Sequence, residues 1–184
     1  MNRSLSAPTE LGRRAVRHMA MGILALSLMA CSTITPTRMV PEANGAADRK
    51  IAMRVTVGQV TGARATSFGG APFPSNEQVR EALLATLEQA AVFSAASSTA
   101  GDVELTVSVL SQDQYGLIPT TARMVANYKL AARDGTTIWS ETYDTTSSAG
   151  EFSGATRSVK AQEGAVRENL KAFVQGIKER LRLQ

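Results

Sequence analysis

The segment ARMVANYKLAARDGTTIWSETYDTT, residues Ala122 to Thr146, reads as two strands joined at Asp134-Gly135. Asp-Gly between alternating apolar residues is a strong short-range hairpin signal, because the glycine accepts the positive φ that the turn needs. Met124, Ala126, Tyr128 and Leu130 fall two apart and share one face of the first arm. A two-residue turn pairs Leu130 with Trp139. A three-residue turn shifts the register by one and sends Trp139 to the other face, and the sequence leaves both open.

Upstream of the hairpin, Val103, Leu105, Val107 and Val109 alternate as a further strand, followed by a loop over 111–121 containing Tyr115, Gly116 and Pro119. Ser75-Asn76-Glu77-Gln78 has the spacing of a capping box. The helix it opens puts Val79, Leu83, Leu87 and Ala90 on one face, helped by Ala82 and Val92. Residues 94–101 read as a connection of small residues. Ile51, Met53, Val55 and Val57 alternate as the inward side of a first strand. Between that strand and the helix lies a long Gly/Pro-rich loop, 61–74, carrying Phe68 and Phe73. These rings are either exposed for an interaction or folded back over the core.

Downstream, residues 145–156 form a polar loop carrying Phe152. A long helix then closes the chain, with Val159, Val166, Leu170, Phe173, Val174, Ile177 and Leu181 as its apolar stripe. Lys160, Glu163, Arg167, Glu168 and Lys171 are expected off that stripe, and Gly164 and Gly176 allow close packing. The order β-α-β-β-β-α predicts an α+β two-layer sandwich. It consists of a mostly antiparallel four-stranded sheet with two helices on one face, the first strand pairing in parallel through its crossover.

The N-terminus reads as an address. Arg3, Arg13, Arg14 and Arg17 precede the uncharged run Met19–Ala30, which is too short to span a bilayer as a helix. Leu28-Met29-Ala30-Cys31 resembles a bacterial lipobox, with signal cleavage between Ala30 and Cys31 and acylation of the Cys31 thiol. One acyl chain holds a membrane marginally and two or three hold it durably. Ser32, where an aspartate would signal inner-membrane retention, points to the outer membrane. The expected organisation is a signal peptide over 1–30, lipidated Cys31 with a flexible tether over 31–48, and one domain over 49–184. The product is a periplasm-facing, lipid-anchored outer-membrane protein.

Composition excludes several chemistries. The leader contains four of the 20 basic and one of the 16 acidic residues, so the mature chain is close to neutral and lacks a nucleic-acid footprint. His18, the sole histidine, lies in the leader, and Cys31 is the sole cysteine. The mature chain therefore has no imidazole or free thiol for a catalytic triad or a His/Cys zinc site. No cofactor motif is present. Asp113, Glu141 and Asp144 are the carboxylates left for acid–base work.

The Leu28–Cys31 box, the Ser75–Val92 helix, Tyr128-Lys129-Leu130 before Asp134-Gly135, and Ile138-Trp139 after it resemble small Gram-negative envelope lipoproteins. These are the LptE type, the CsgG and PelC type with the TolB N-terminal-like module, and the YajG type. The resemblance implies a non-catalytic accessory or assembly factor in envelope biogenesis or export. It would bind protein, lipopolysaccharide or polysaccharide, with homo-oligomerisation as an option. Phe68, Phe73, Tyr115 and Phe152 are the partner-binding candidates, and Arg64, Arg123 and Arg157 are the basic ones for lipopolysaccharide. A regulator of a cell-wall synthase and a polysaccharide- or peptidoglycan-acting hydrolase are the alternatives.

Overall fold

A computed structural model describes residues 33–42, 50–64 and 72–182, with side chains as far as residue 180. The elements are α1 (Pro36–Met39), β1 (Ile51–Thr61), α2 (Asn76–Ala90), β2 (Phe93–Ser97), β3 (Val103–Tyr115), β4 (Thr120–Ala132), β5 (Thr137–Ala149) and α3 (Gly154–Arg182). They form the expected α+β sandwich with two corrections: the sheet has five strands, in the order β2-β1-β3-β4-β5, and it is mixed rather than mostly antiparallel, with two parallel and two antiparallel interfaces. The extra strand, β2, is the Ser-Ala-Ala-Ser segment read as a connection. Its small residues lack alternation, and it joins the sheet by pairing in parallel with β1, anchored by buried Phe93. The β1–β3 interface is also parallel, and β3–β4–β5 is antiparallel.

The strands run past their apolar cores. β3 reaches Tyr115 and β4 begins at Thr120, so the loop expected over 111–121 shrinks to a tight turn at 116–119. That turn holds Gly116 at φ 79° and a cis Ile118–Pro119 bond. Likewise β5 extends to Ala149, paired with Thr120. Hydroxyl-rich edge sequence gives no hydrophobic period, and backbone pairing with a long neighbour determines its conformation.

The hairpin turn has three residues, 133–135, with Gly135 at φ 85° and a hydrogen bond from Gly135 N–H to the Ala132 carbonyl of 2.9 Å. A bulge beside Ile138 then restores Leu130 opposite Trp139. Trp139 consequently faces the core, with its ring 5.9 Å from that of Phe173.

The helix layer covers one face. Val79, Ala82, Leu83 and Leu87 of α2 and Val159, Val166, Leu170, Phe173 and Ile177 of α3 are buried against Val55, Val57, Leu105, Val107, Met124, Tyr128 and Leu130. Ile51 and Met53 pack at the edge of this core only partly buried. The Ser75–Gln78 capping box forms with both reciprocal hydrogen bonds. Gly164 and Gly176 let α3 approach β5, and a Cβ on either would collide with Ser147 or Tyr143.

Two expectations are corrected on this face. Thr33–Glu42, placed in the flexible tether, instead lies as a strap across α2 and α3, with Ile34 and Met39 in the core. The rest of the tether, 31–32 and 43–48, lies outside the described residues. Glu163, expected on the solvent side of α3, is 3% exposed because the strap covers it.

Candidate functional site

The loops at one end of the sheet gather the apolar side chains that the core leaves out. β3 ends at Tyr115, and the turn to β4 carries Leu117 and Ile118, which are 86% and 74% exposed. Phe152, in the connection from β5 to α3, is fully exposed, and Tyr115 is exposed beside the turn. Thr120↔Ala149 and Tyr115↔Thr121 pairings bring both connections to the same end of the sheet. The remaining large exposed apolar residues among those described are Leu110, on the outer face, and Ile138, at the opposite end.

Arg157 ties the two connections together. Its guanidinium donates to the Glu151 carbonyl, to the Phe152 carbonyl at 2.8 Å and to the Thr120 hydroxyl at 3.4 Å. The turn bearing Phe152 is thereby clamped to the start of β4. Arg157, one of the basic residues singled out from the sequence, thus acts as a structural strut between the two connections. Glu151 is ion-paired with Lys160 at 2.6 Å, so its carboxyl lies below the usual range.

The outer face of the sheet is uncovered by the described chain and almost wholly polar. Asn127 donates to Thr142 at 3.0 Å and Ser140 at 3.3 Å across the β4–β5 pair, and Thr121 and Ser148 share a 2.8 Å hydrogen bond. Arg123 grips Asp144 through two donors at 2.8 and 2.5 Å. The hydrogen bonds and charge of Arg123 hold the Asp144 carboxyl below its ordinary range. Asp113 accepts from Ser111 on this face, whereas Glu141, opposite Tyr128 on the helix side of β5, accepts from Tyr143 at 3.1 Å. A carboxylate held ionised by a guanidinium is poorly suited to donating a proton.

Of the candidates named from sequence, the structure places Tyr115 and Phe152 exposed at the same end of the sheet. It removes Phe73, which is 5% exposed and belongs to the core. That is the folded-back alternative: Phe73 lies beside the cap of α2, where the neighbouring Pro74 carbonyl accepts from buried Gln112 at 3.3 Å. Phe68, Ala30 and Cys31 lie outside the described residues. Sequence reading missed Leu117 and Ile118. Two large aliphatic residues between Gly116 and Pro119, in a turn that offers neither a strand face nor a helix stripe, were the available signal.

The strap places the start of the described chain at this same end. The carbonyl of Ile34 accepts from Gln78, in the first turn of α2, at 3.1 Å. The strap then runs away from that end, since the Pro41 carbonyl accepts from Gln89, in the last turn of α2, at 3.2 Å. The N-terminus of α2 is tied to the ends of β1 and β3: Asn76 accepts from Ala63 N–H at 2.9 Å, and Gln112 accepts from Arg64 N–H at 2.7 Å. Along α3 the direction agrees, with Thr35 against Glu163 and Arg38 against Arg167. A groove of about 830 Å³ lies beside the strap, between Arg38, β5 and Lys160, Arg167 and Lys171 of α3. Lys160, Lys171 and Arg38 there face Glu151, Glu168 and Glu163 at 2.6, 3.7 and 4.0 Å, leaving mixed polarity rather than an anion site.

No helix among the described residues is long and apolar enough to cross a membrane, and no group of His, Cys, Asp or Glu among them is arranged to hold a metal ion. No protein-family model and no curated protein matches the chain. Among solved structures, the chain is similar to a Xanthomonas campestris protein of the family DUF330, at 15% identity and a TM-score of 0.60. That match covers 79% of this chain and 96% of the other. It is also similar to a "putative lipoprotein" from Caulobacter crescentus CB15, at 14% identity and a TM-score of 0.50, covering 71% and 92%. At these identities the likeness is one of fold.

Proposed function

We propose that this protein is a non-catalytic outer-membrane lipoprotein, anchored through acylated Cys31 and facing the periplasm. It serves envelope assembly or export by binding protein or glycolipid. One observation carries this reading: the exposed apolar groups Tyr115, Leu117, Ile118 and Phe152 cluster at the end where Thr33 enters the domain, two residues after Cys31. An anchor there holds one chosen end of the domain at a surface. The carboxylates of the outer face are engaged, Asp144 with Arg123 and Asp113 with Ser111, and Glu141 on the helix side of β5 is bonded to Tyr143, which supports a binding role over acid–base catalysis. The fold is shared with a protein described as a lipoprotein, which supports the anchor.

The intact mass of protein extracted from the cell envelope tests the reading. Addition of a diacylglyceryl group with an N-acyl chain at Cys31, lost in Cys31→Ala, together with sedimentation in the outer-membrane fraction, is the expected result. Unmodified Cys31 or a soluble periplasmic pool contradicts it. Sedimentation of the detergent-solubilised lipoprotein separates the family-level options. A ring-sized species favours the export type resembling CsgG and PelC, and a monomer co-purifying with one membrane protein favours the LptE type.

A further inference from the structure

The apolar end has a geometry that selects among binding partners. Leu117, Ile118 and Phe152 are so fully exposed that they project from the surface rather than line a groove, and they do so from two separate connections. Exposed aromatic and aliphatic tips of this kind fit a medium that has no shape of its own. The sequence around Leu117 and Ile118 is free of charge over 114–122, while Glu151 beside Phe152 is ion-paired with Lys160 at 2.6 Å. Bringing the 116–119 turn to a hydrocarbon surface therefore strips water from no ionised side chain of that connection, and the Glu151 carboxylate next to Phe152 is already paired with a cation. The hydroxyls of Thr121 and Ser148, which bond each other at 2.8 Å, and the exposed phenol of Tyr115 form the next layer, matching the headgroup level where amphipathic side chains settle.

The attachment point agrees. Cys31 precedes Thr33 by two residues, a reach of at most about 7 Å for a fully extended chain. Thr33 adjoins Ile34, which is pinned by Gln78 at the N-terminus of α2, at the end where the apolar connections lie. A strap locked into the helix layer gives the domain no long leash.

We propose that Tyr115, Leu117, Ile118 and Phe152 insert into the lipid surface that carries the Cys31 anchor. The domain then stands upright on the bilayer, with β2–β5 roughly along the normal and the Asp134-Gly135 turn furthest from it. This rests on the lipid-anchor reading above and adds an orientation and a second, non-covalent contact. The outer face of the sheet is left pointing sideways, free for a partner in the envelope.

The test uses the full-length acylated protein in vesicles of phosphatidylethanolamine and phosphatidylglycerol. Acylation consumes the only native thiol, so Leu117→Cys, Phe152→Cys and Asp134→Cys each supply one site for an environment-sensitive fluorophore. The expected result is a blue shift and quenching by bromine-labelled lipid at 117 and 152, with neither at 134. No quenching at 117 and 152, or equal quenching at all three, overturns the proposal. So does a shift at 117 and 152 that brominated lipid leaves untouched but that grows with protein density, since the contact is then a second copy of the chain. Intact mass is read on the same samples. Absent acyl chains sink the anchor reading itself, whereas acylated protein without quenching sinks only the insertion.

Discussion

The backbone N–H of Thr35 donates to the carboxylate of Glu163 at 2.8 Å, fastening the strap that precedes β1 to the long helix that ends the fold. The two residues are 128 positions apart, and their contact turns an expected tether into part of the helix layer. Glu163 is covered as a result, and burial pushes its carboxyl above the ordinary value of 4.5, against the opposing pull of the Thr35 N–H, Arg38, Arg167 and Lys160.

A pH dependence follows. A raised carboxyl pKa means that the folded state favours the neutral form, so ionised Glu163 costs stability at neutral pH, and this cost fades as pH falls toward 4.5. Glu163→Gln retains an acceptor for Thr35 without the charge. Urea denaturation should find this variant at least as stable as the native protein at pH 7, with the gap closing on acidification. A gap that widens toward pH 4.5 would contradict the assignment.

Asn169 should prove the least replaceable polar residue in the core. Fully buried, it accepts from the Tyr128 hydroxyl at 2.8 Å and donates to the Tyr143 carbonyl at 3.0 Å and the Thr145 hydroxyl at 3.1 Å, stitching α3 to β4 and β5. Asn169→Leu strands these partners and is expected to cost about 2–3 kcal/mol. Adding Tyr128→Phe removes one stranded hydroxyl, so the double variant should lose less than the two single losses added together in equilibrium unfolding.

Glycine at 164 is a packing requirement of α3 on β5. Alanine there gains up to about 1 kcal/mol of helix propensity. Its Cβ, however, runs into both side-chain atoms of Ser147, whose Cβ would lie 2.8 Å away and cannot rotate aside. Overpacking of this kind costs about 1–3 kcal/mol. Thermal unfolding should show Gly164→Ala destabilised, and the pair Gly164→Ala, Ser147→Gly should recover part of the loss.

The exposed end should be nearly silent in stability measurements. Leu117→Ser, Ile118→Ser and Phe152→Ser remove side chains that bury little within the fold, so each should lie within about 0.5 kcal/mol of the native protein. Arg157→Ala differs in kind, because it releases the connection of Phe152 from Thr120. Hydrogen exchange should speed up over residues 150–153 and 116–120 and stay unchanged at the β4–β5 turn.

Much of this architecture is written in local pattern. Alternation identified Val103–Val109 and Met124–Leu130 as strand faces, the capping box marked the start of α2, and Val159 to Ile177 marked the buried side of α3, because each depends on residues only a few positions apart. What tertiary structure alone decided depends on distant neighbours. The small residues of β2 became a strand through pairing with β1. The strap and Glu163 were buried because they cover one another, and Trp139 faced inward because a bulge at Ile138 offset the three-residue turn. The binding end was half legible: Tyr115 and Phe152 stood out as aromatic residues in loops, while Phe73 looked identical to them and belongs to the core. A side chain's period along the chain reports which face of its own element it occupies. Whether anything covers that face is set by elements up to 129 residues away, as Arg38 and Arg167 are, and only the packed fold brings those together.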